Sequence, residues 1–230
     1  MSNPLVSVVM AVRNGERFLD DAIKSVVAQD YRPIAIIVVD GHSTDRTAEI
    51  AQAYDLVRYI LQQGQGLADA YNCGVASARG ELIAFLSYDD LWTPGKLSAQ
   101  VAYMQEHPDV GYTVARVRFF LEPGCDVPAG FRPELLEGDH MGRVMENLVA
   151  WRWVFGAVGG FNTSLRISED VDWFLRASDR GVPMAVIPKV LLHKRVHDAN
   201  MSLFEPSKSL DLLAAVKASV DRKRRSRNDS

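Results

Sequence analysis

Apolar residues in the first hundred positions fall into two alternating patterns. Continuous, largely β-branched runs are separated by segments in which apolar residues recur every three or four positions. The continuous runs predict strands covered on both faces, and the wider spacing predicts helices packed on one side. The predicted strands cover residues 5–12, 34–39, 57–61 and 82–86, and the predicted helices cover 18–29, 44 onward, 67–78 and 94–106. Ser43 and Thr93 are the predicted caps of the second and fourth helices.

Strands that alternate with helices predict parallel pairing through right-handed crossovers, and therefore an α/β fold. The second half is less regular and is expected to be mixed. We predict a strand over 111–121, a long loop over 122–140 and a helix over 145–153. A second helix is expected to be capped by Ser168 and to end near 179, followed by two short strands within 182–196 that are split at Pro188. The chain is then expected to form an amphipathic helix over 207–220 and a solvated, disordered basic segment over 222–227.

Composition limits the classes of protein. The chain has 230 residues, 47% hydrophobic content and a formal net charge of −3, so it is expected to be globular without a general basic field for nucleic acid. Cys73 and Cys125 are far apart and lack metal-type spacing, which favours a reduced, cytoplasmic protein. Neither a membrane-spanning apolar stretch nor a signal peptide is evident. A Gly-x-Gly-x-x-Gly fingerprint and a P-loop are also missing.

The strongest chemical signal is the run of residues 82–90, Leu-Ile-Ala-Phe-Leu-Ser-Tyr-Asp-Asp. A buried strand here ends in two carboxylates, Asp89 and Asp90, which cannot be buried unpaired without a large penalty. The carboxyl edge of an open α/β sheet is where ligands bind. Two carboxylates there suit a hard divalent cation and, with it, a phosphate-bearing substrate. The alternative is a simple turn, since Asp is also a common helix cap.

Six segments in order resemble the family 2 glycosyltransferases of the GT-A fold. That family uses nucleotide-sugar donors and inverts the anomeric centre. The segments are Pro-Leu-Val-Ser-Val-Val-Met-Ala-Val-Arg-Asn-Gly at 4–15, Ile-Ile-Val-Val-Asp-Gly-His-Ser-Thr-Asp at 36–45, Gly-Leu-Ala-Asp-Ala-Tyr-Asn-Cys-Gly-Val-Ala-Ser-Ala-Arg-Gly-Glu at 66–81, Ser-Tyr-Asp-Asp at 87–90, Gly-Gly-Phe at 159–161 with Glu-Asp-Val-Asp-Trp-Phe-Leu-Arg at 169–176, and Arg-Val-His-Asp-Ala-Asn-Met-Ser at 195–202. Ala11, Arg13 and Ser87 depart from the family pattern.

The resemblance implies a mostly parallel central sheet flanked by helices, with a smaller mixed acceptor-side region. It covers roughly residues 4–202. We therefore predict one domain over 1–206, with a nucleotide-binding half at 1–106 and an acceptor-side half at 107–206, followed by a C-terminal helix and basic tail at 207–230.

The resemblance also implies the donor site. The implied donor-binding residues are Ala11, Arg13, Asp40, Asp69, Arg79, Ser87, Asp89 and Arg195. Each has an ordinary alternative: Asp40 can be a turn residue, Arg13 a solvated surface residue, and Asp69 or Arg79 a member of a simple salt bridge. The Ser87 hydroxyl can bind a ribose, although Ser87 removes one carboxylate from the usual cluster.

The same resemblance implies a metal and a base. Asp89, Asp90 and His197 are expected to hold Mg²⁺ or Mn²⁺, which neutralises a departing diphosphate. Asp170 is expected to be the general base, with Glu169 beside it, because a hydroxyl acceptor must lose its proton as it attacks. Alternatively, the two acids only stabilise the first turn of a helix, and His197 is only structural.

The resemblance implies a donor and an acceptor, and the end of the chain suggests further partners. We expect a nucleotide-sugar donor, most commonly a uridine diphosphate form, and an acceptor that is a saccharide, a lipid-linked sugar or a small molecule. The basic tail can contact anionic lipid at the inner face of a membrane, and the last helix can pair with a second copy. A nucleotidyltransferase and a non-catalytic nucleotide-sugar-binding protein are the alternatives. The sparse segment 12–15 argues against the first, and Asp170 with His197 argues against the second.

Overall fold

The structure of the protein, a computed structural model, describes residues 3–200 and 208–228. The end of the closing motif at 201–202, residue 207 of the predicted last helix and the last two residues of the tail lie outside those ranges. Within the described ranges, nine strands form one sheet that spans both halves of the chain. The strands are β1 (Val6–Val12), β2 (Ile34–Asp40), β3 (Val57–Leu61), β4 (Leu82–Phe85), β5 (Leu91–Trp92), β6 (Tyr112–Leu121), β7 (His140–Met141), β8 (Val149–Trp151) and β9 (Met184–Val196).

Helices cover both faces of the sheet. They are α1 (Leu19–Val27), α2 (Thr47–Gln52), α3 (Leu67–Ser77), α4 (Lys96–Glu106), α5 (Arg152–Val158), α6 (Glu169–Asp179) and α7 (Lys208–Asn228). Two 3₁₀ turns, at Pro133–Leu136 and Met145–Asn147, interrupt the connection between β6 and β8. Within the described part of the chain, no helix has both the length and the apolar character needed to cross a bilayer.

The sheet has the order β3-β2-β1-β4-β8-β6-β9-β5, and β7 pairs with β6 at the side. The first four strands are parallel, as predicted. Strand β8 then runs antiparallel to both β4 and β6, β9 is parallel to β6, and β5 is antiparallel to β9. The carboxyl ends of β1, β2, β3 and β4 therefore share one edge. In the second half of the chain, the segments before β8 and after β9 lie beside that edge.

Alternation along the strands builds two hydrophobic layers. In β1, Val8 and Met10 join the layer beneath α1 and α4, whereas Val9 and Ala11 join the layer beneath α3, α5 and α6. Because successive side chains of a strand point to opposite faces, a strand covered on both sides needs apolar residues at every position. This is why the continuous run of β1 is a fully buried strand, whereas β3 at the edge of the sheet is only partly buried.

Two predicted helix starts lie too early in the chain. Ser43 donates its hydroxyl to Asp40 instead of capping a helix, and the backbone N–H of Thr47 donates to Asp45, so α2 begins at Thr47. Helix α4 begins after Gly95, whose φ of 76° lies in the left-handed region. Glycine tolerates that conformation at little cost, so the turn that leads into α4 extends past Thr93.

Tertiary pairing overrides the predicted elements in the second half. The apolar segment predicted as a helix over 145–153 contains β8, whose residues pair with Leu82–Ala84 of β4. Strand β9 is continuous through Pro188 because the pairing with β6 skips from Ile187 to Val190, which leaves Pro188 in a bulge. Proline lacks the ladder N–H and is accommodated where pairing is interrupted.

The basic segment is helical, so its predicted disorder is wrong. Helix α7 continues through residues 222–227 to Asn228. The Asp179 carboxylate at the end of α6 accepts hydrogen bonds from Ser219 Oγ at 2.9 Å and Arg222 Nε at 2.8 Å. These contacts fix the second half of α7 against α6.

Trp173 packs in the core and does not line a cleft. Its side chain is fully buried, and its ring contacts the rings of Tyr112, Phe155, Phe161 and Phe174. We expect Trp173→Ala to lower the free energy of unfolding by about 3–5 kcal/mol through lost burial and a cavity. Urea denaturation measures this. Trp153→Ala is the matched control, because Trp153 is 52% exposed and its removal is expected to cost less than about 0.5 kcal/mol. Equal losses in both variants would contradict the assignment.

Candidate active site

Asp89 and His197 meet at the carboxyl edge of the sheet. The turn after β4 carries Asp89 into β5, and the pairing of β5 with β9 brings it to the segment that follows β9. Asp89 Oδ2 lies 3.1 Å from His197 Nε2 and 3.3 Å from Asn200 Nδ2. His197 is buried and its ring packs 4.7 Å from the ring of Phe18. Two potential metal ligands that are 108 residues apart in the chain are thus in contact.

Asp90 differs from Asp89 in its surroundings. Its side chain is 1% exposed, whereas that of Asp89 is 14% exposed. Lys194 Nζ donates to Asp90 Oδ2 at 2.8 Å, and the backbone N–H of Arg195 donates to Oδ1 at 2.9 Å. Burial raises the pKa of Asp90 to about 7, against the opposing effect of the Lys194 ammonium. Each oxygen of Asp90 has a protein partner, whereas the two side-chain contacts described for Asp89 both go to Oδ2. Asp89 is therefore the carboxylate of this pair with an oxygen left for a ligand.

Arg195 supports the site from behind. Its Nε donates to the backbone carbonyl of Asp89 at 2.9 Å, and its other nitrogens contact Glu122 and Asp21. The guanidinium also stacks against the rings of Phe18 and Phe120. The side chain is only 7% exposed. Its donors are engaged within the protein, so the geometry makes Arg195 a residue that positions Asp89.

Lys194 is a site residue that the sequence did not reveal. Its ammonium lies between Asp90 Oδ2 at 2.8 Å and Glu146 Oε1 at 3.2 Å. Burial lowers the pKa of Lys194, but the carboxylates of Asp90, Glu146 and Asp89 outweigh burial and raise that pKa above its ordinary value. Lys194 is therefore a fixed cation among the site carboxylates, on the opposite side of β9 from Arg195.

Glu146 is the second residue that the sequence did not reveal. The Ser87 hydroxyl donates to Glu146 Oε1 at 2.6 Å. Glu146 lies in the 3₁₀ turn that leads into β8, and the start of β8 is opposite the end of β4. Ser87 stands where the family usually has an acid, and the Glu146 carboxylate, 59 residues further along the chain, lies beside it. No spacing in the sequence signals this contact.

The two acids at the start of α6 lie next to this cluster. Burial, followed by the neighbouring Asp170 carboxylate, raises the pKa of Glu169 to about 8. Burial and then Glu146 raise the pKa of Asp170 to about 6, while Lys194 acts in the opposite direction. At neutral pH, Asp170 is therefore ionised and Glu169 is mostly protonated. The buried Tyr71 hydroxyl lies among Ser87, Glu146, Glu169 and Asp170, whose carboxylates add to the effect of burial and raise its pKa.

The other predicted donor residues line the neighbouring strand ends. Asp40 ends β2, is 1% exposed and accepts hydrogen bonds from Ser43 and from the Tyr59 hydroxyl. Asp69 accepts a hydrogen bond from Gln62 Nε2 at 2.9 Å. Ala11 lies near the end of β1, and Arg13 follows that strand as an exposed residue. All four lie at the carboxyl edge or in a segment bonded to it.

Arg79 lies at the other edge of the sheet. It immediately precedes Gly80, whose N–H donates to Ser7 Oγ near the start of β1. A seven-residue strand separates the two edges by about 20 Å. The structure therefore does not bring Arg79 together with the other predicted donor residues.

The residues at Asp89 fit a divalent ion. Asp89 Oδ2 and His197 Nε2 lie 3.1 Å apart, so both could contact one ion in place of the hydrogen bond between them. One carboxylate and one imidazole are ligands that Mn²⁺ accepts readily. Across the described ranges, no group of three acid, His or Cys side chains converges as a complete cage. The remaining ligands would come from a diphosphate and water.

Comparisons with known proteins agree with this fold. TarS of S. aureus, solved in complex with UDP-GlcNAc, superposes with a TM-score of 0.75 at 17% identity over 94% of this chain and 66% of that chain. The mannosyltransferase PcManGT from Pyrobaculum calidifontis, solved with GDP-Man and Mn²⁺, superposes with a TM-score of 0.64 at 20% identity over 84% of this chain and 57% of that one. The chain has the α/β fold of the GT-A glycosyltransferases, as predicted.

Sequence comparison gives the family. The family model for glycosyl transferase family 2 matches residues 7–163. A glycosyltransferase of Rickettsia typhi, RT0329, is 32% identical over 86% of this chain and 65% of its own length. The putative glycosyltransferase EpsE of Bacillus subtilis is 31% identical over 78% of this chain and 69% of its own length. The chain belongs to glycosyl transferase family 2. It spans about two thirds of the Rickettsia typhi relative and about a third of two further relatives.

Proposed function

We propose that the chain transfers a sugar from a nucleotide diphosphate donor, a uridine diphosphate sugar, to a hydroxyl acceptor with inversion at the anomeric carbon. The observation that carries this proposal is the continuous cluster at the carboxyl edge of the sheet. It joins the Asp89–His197 pair, through Asp90, Lys194 and Glu146, to Asp170. A donor-binding group and a candidate base therefore lie in one connected site.

The residues proposed to bind the donor lie at or near the carboxyl ends of the strands. Asp69 would bind the nucleoside, and Asp40 would support the pocket from within, since its two oxygens already accept hydrogen bonds from Ser43 and Tyr59. Asp89 with His197 would hold Mg²⁺ or Mn²⁺. The bound ion would neutralise charge on the diphosphate as it leaves. The complexes of TarS with UDP-GlcNAc and with UDP support uridine as the nucleoside of the donor. The complex of PcManGT with GDP-Man and Mn²⁺ supports a divalent ion.

The acceptor side rests on Asp170. The acceptor oxygen attacks the anomeric carbon, the bond from that carbon to the diphosphate oxygen breaks, and the acceptor proton passes to Asp170. A single displacement from the face opposite the leaving group inverts the anomeric centre. Glu169, mostly protonated at neutral pH, is a hydrogen-bond donor beside the base. Lys194 offsets the charge of Glu146 and Asp90 during the step.

The relatives suggest a setting for the reaction. The putative glycosyltransferase TuaG of Bacillus subtilis, named for teichuronic acid biosynthesis, is 35% identical over 45% of this chain and 43% of its own length. We therefore place the reaction in the synthesis of a cell-envelope polysaccharide, on the cytoplasmic side where nucleotide sugars are made. Acceptors of that kind carry the free hydroxyl that Asp170 would deprotonate.

A donor screen tests the proposal. The chain is incubated with uridine, guanosine and thymidine diphosphate sugars, each with Mn²⁺, Mg²⁺ or EDTA, and release of nucleoside diphosphate and the melting temperature are recorded. We expect a uridine diphosphate sugar with Mn²⁺ to raise the melting temperature, because a specific ligand stabilises the folded state, and to give the fastest release. Binding without turnover, even with acceptors supplied, would identify a nucleotide-sugar sensor. Pyrophosphate release from a nucleoside triphosphate and a sugar phosphate would identify a nucleotidyltransferase.

A further inference from the structure

The face of α7 that points away from the sheet has no role in the proposed reaction. The inner face of the helix packs on α6 through the buried residues Ala215 and Ser219. On the outer face, Leu210 is 70% exposed and Leu213 is 65% exposed. Leu212, Val216 and Val220 are exposed as well. Five large apolar side chains on one helix thus remain in water although the domain has a complete core beneath them.

The same helix concentrates positive charge. Seven of its residues are basic and two are acidic, a formal charge of +5, so the rest of the chain carries −8 of the total of −3. Lys217 and Arg224 are exposed and lie on the same side as Leu210, Leu213 and Val220, at spacings of three or four residues. One strip of the outer face, defined by these five residues, is therefore both apolar and cationic.

The two acids of α7 differ in their positions. Asp211 accepts hydrogen bonds from the backbone N–H groups of Arg166 and Ile167, which precede α6, so it faces inward. Asp221 is partly exposed, and because it lies four residues after Lys217 and three before Arg224, it borders the strip and offsets part of its charge. With both acids counted, α7 still carries a formal charge of +5.

We propose that the outer strip of α7 is a docking surface for an anionic phospholipid bilayer. A helix with apolar and basic residues on one exposed face binds in the plane of the membrane interface, with apolar side chains in the acyl boundary and cations at the headgroups. The charge argues for this occupant over a second copy of the chain. A symmetric pair would bring together two helices that each carry a formal charge of +5, whereas an anionic bilayer offsets that charge.

The direction of α7 orients the molecule on that bilayer. Asp211 contacts the segment just before α6, and Ser219 contacts Asp179 at the other end of α6, so the two helices run parallel. Leu210 and Leu213 therefore lie at the end of α6 that carries Asp170. If the proposed function holds, Asp170 lies on the helix layer directly above the docked α7, near Leu210 and Leu213, which keeps the acceptor side of the site close to the bilayer and suits an acceptor sugar attached to a lipid.

Vesicle flotation tests the docking surface with the whole 230-residue chain. The vesicles contain one part phosphatidylglycerol to two parts phosphatidylcholine, or phosphatidylcholine alone. We expect the chain to float with the first and not with the second, and to be released by high salt, which screens surface charge. The double variants Leu210→Ser with Leu213→Ser, and Lys217→Glu with Arg224→Glu, are each expected to reduce the bound fraction at least about tenfold, because both attractions contribute.

Matched controls separate the strip from exposed residues in general. Leu56→Ser and Lys189→Glu remove an exposed leucine and an exposed lysine elsewhere, and both are expected to float as the wild type does. Circular dichroism checks that every variant is folded. Failure of the wild type to float with anionic vesicles, or equal flotation of all variants, would overturn the proposal. A wild-type dimer in sedimentation that Leu210→Ser with Leu213→Ser dissociates, without flotation, would assign the strip to a second copy. None of these readouts depends on turnover.

Discussion

Asp170→Asn is expected to abolish sugar transfer while donor affinity stays within about twofold of the wild type. The amide has nearly the same shape as the carboxylate but cannot accept the acceptor's proton, and loss of a positioned base costs about 10²–10⁴ in rate. Steady-state release of nucleoside diphosphate gives kcat, and titration of the donor gives the affinity. A loss in kcat alone marks an interaction made only in the transition state.

The rate of the same reaction is expected to fall as the pH is lowered. Burial and the nearby Glu146 raise the pKa of Asp170 to about 6. The base must be ionised, so kcat/KM is expected to fall about tenfold for each pH unit below about 6 and to level off above it. The Asn variant is expected to lose this acid limb.

Glu169→Gln is the comparison variant. Because the pKa of Glu169 is raised to about 8, its carboxyl is mostly neutral at pH 7 and glutamine resembles that form. We expect a loss of less than about tenfold, below the range for a general base. A loss as large as that of Asp170→Asn would transfer the role of base to Glu169, and loss of donor binding in Asp170→Asn would make Asp170 structural.

Asp89→Asn is expected to weaken donor binding in Mn²⁺ by at least about 10–100-fold, since even supporting residues around a metal have effects of that size. The neutral amide is a poor ligand for a hard cation. Donor binding in EDTA is expected not to weaken, because the substitution removes a carboxylate that repels the diphosphate. Isothermal titration with and without the ion measures both. If the variant binds donor as tightly as the wild type in both conditions, Asp89 is not a metal ligand.

Asp90→Asn is the companion to that experiment because its expected signature differs. The variant removes the carboxylate that receives both Lys194 and the Arg195 N–H. We expect donor affinity in Mn²⁺ to fall, and the free energy of unfolding to fall by about 1–3 kcal/mol, the cost of leaving buried polar groups poorly paired. Asp89→Asn is expected to cost less, because both partners of Asp89, His197 and Asn200, bind the same oxygen, and the amide of asparagine keeps one oxygen as an acceptor. Urea denaturation of the two variants separates a direct ligand from a residue that also holds β5 to β9.

The first half of the fold was predictable because its signals are local. Strands covered on both faces have apolar residues at every position, and β1 and β2 have such runs. Strand β8 was missed because three residues within an apolar stretch have no period that separates strand from helix. Its pairing with β4, more than sixty residues earlier in the chain, decides its conformation.

The candidate site divides in the same way. Asp89, His197 and Asp170 lie in segments whose residue order resembles a family, so the sequence indicated them before any contact was known. No motif in the sequence indicates Glu146 or Lys194. Glu146 reaches Ser87 only when β8 pairs with β4. For the basic end of α7, like charges in sequence argued for disorder, whereas a distant acid, Asp179, holds Arg222.

The balance of charge around Lys194 affects how the nucleotide donor and the divalent ion bind. Asp89, Asp90, Glu146 and Asp170 converge on a site in which Lys194 is the neighbouring cation, since the guanidinium of Arg195 is shared with Glu122 and Asp21. A nucleotide diphosphate that approached such a surplus of anions by itself would be repelled. Donor and divalent ion are therefore expected to enter as one preformed complex, and the apparent affinity for nucleotide should depend on the concentration of free ion.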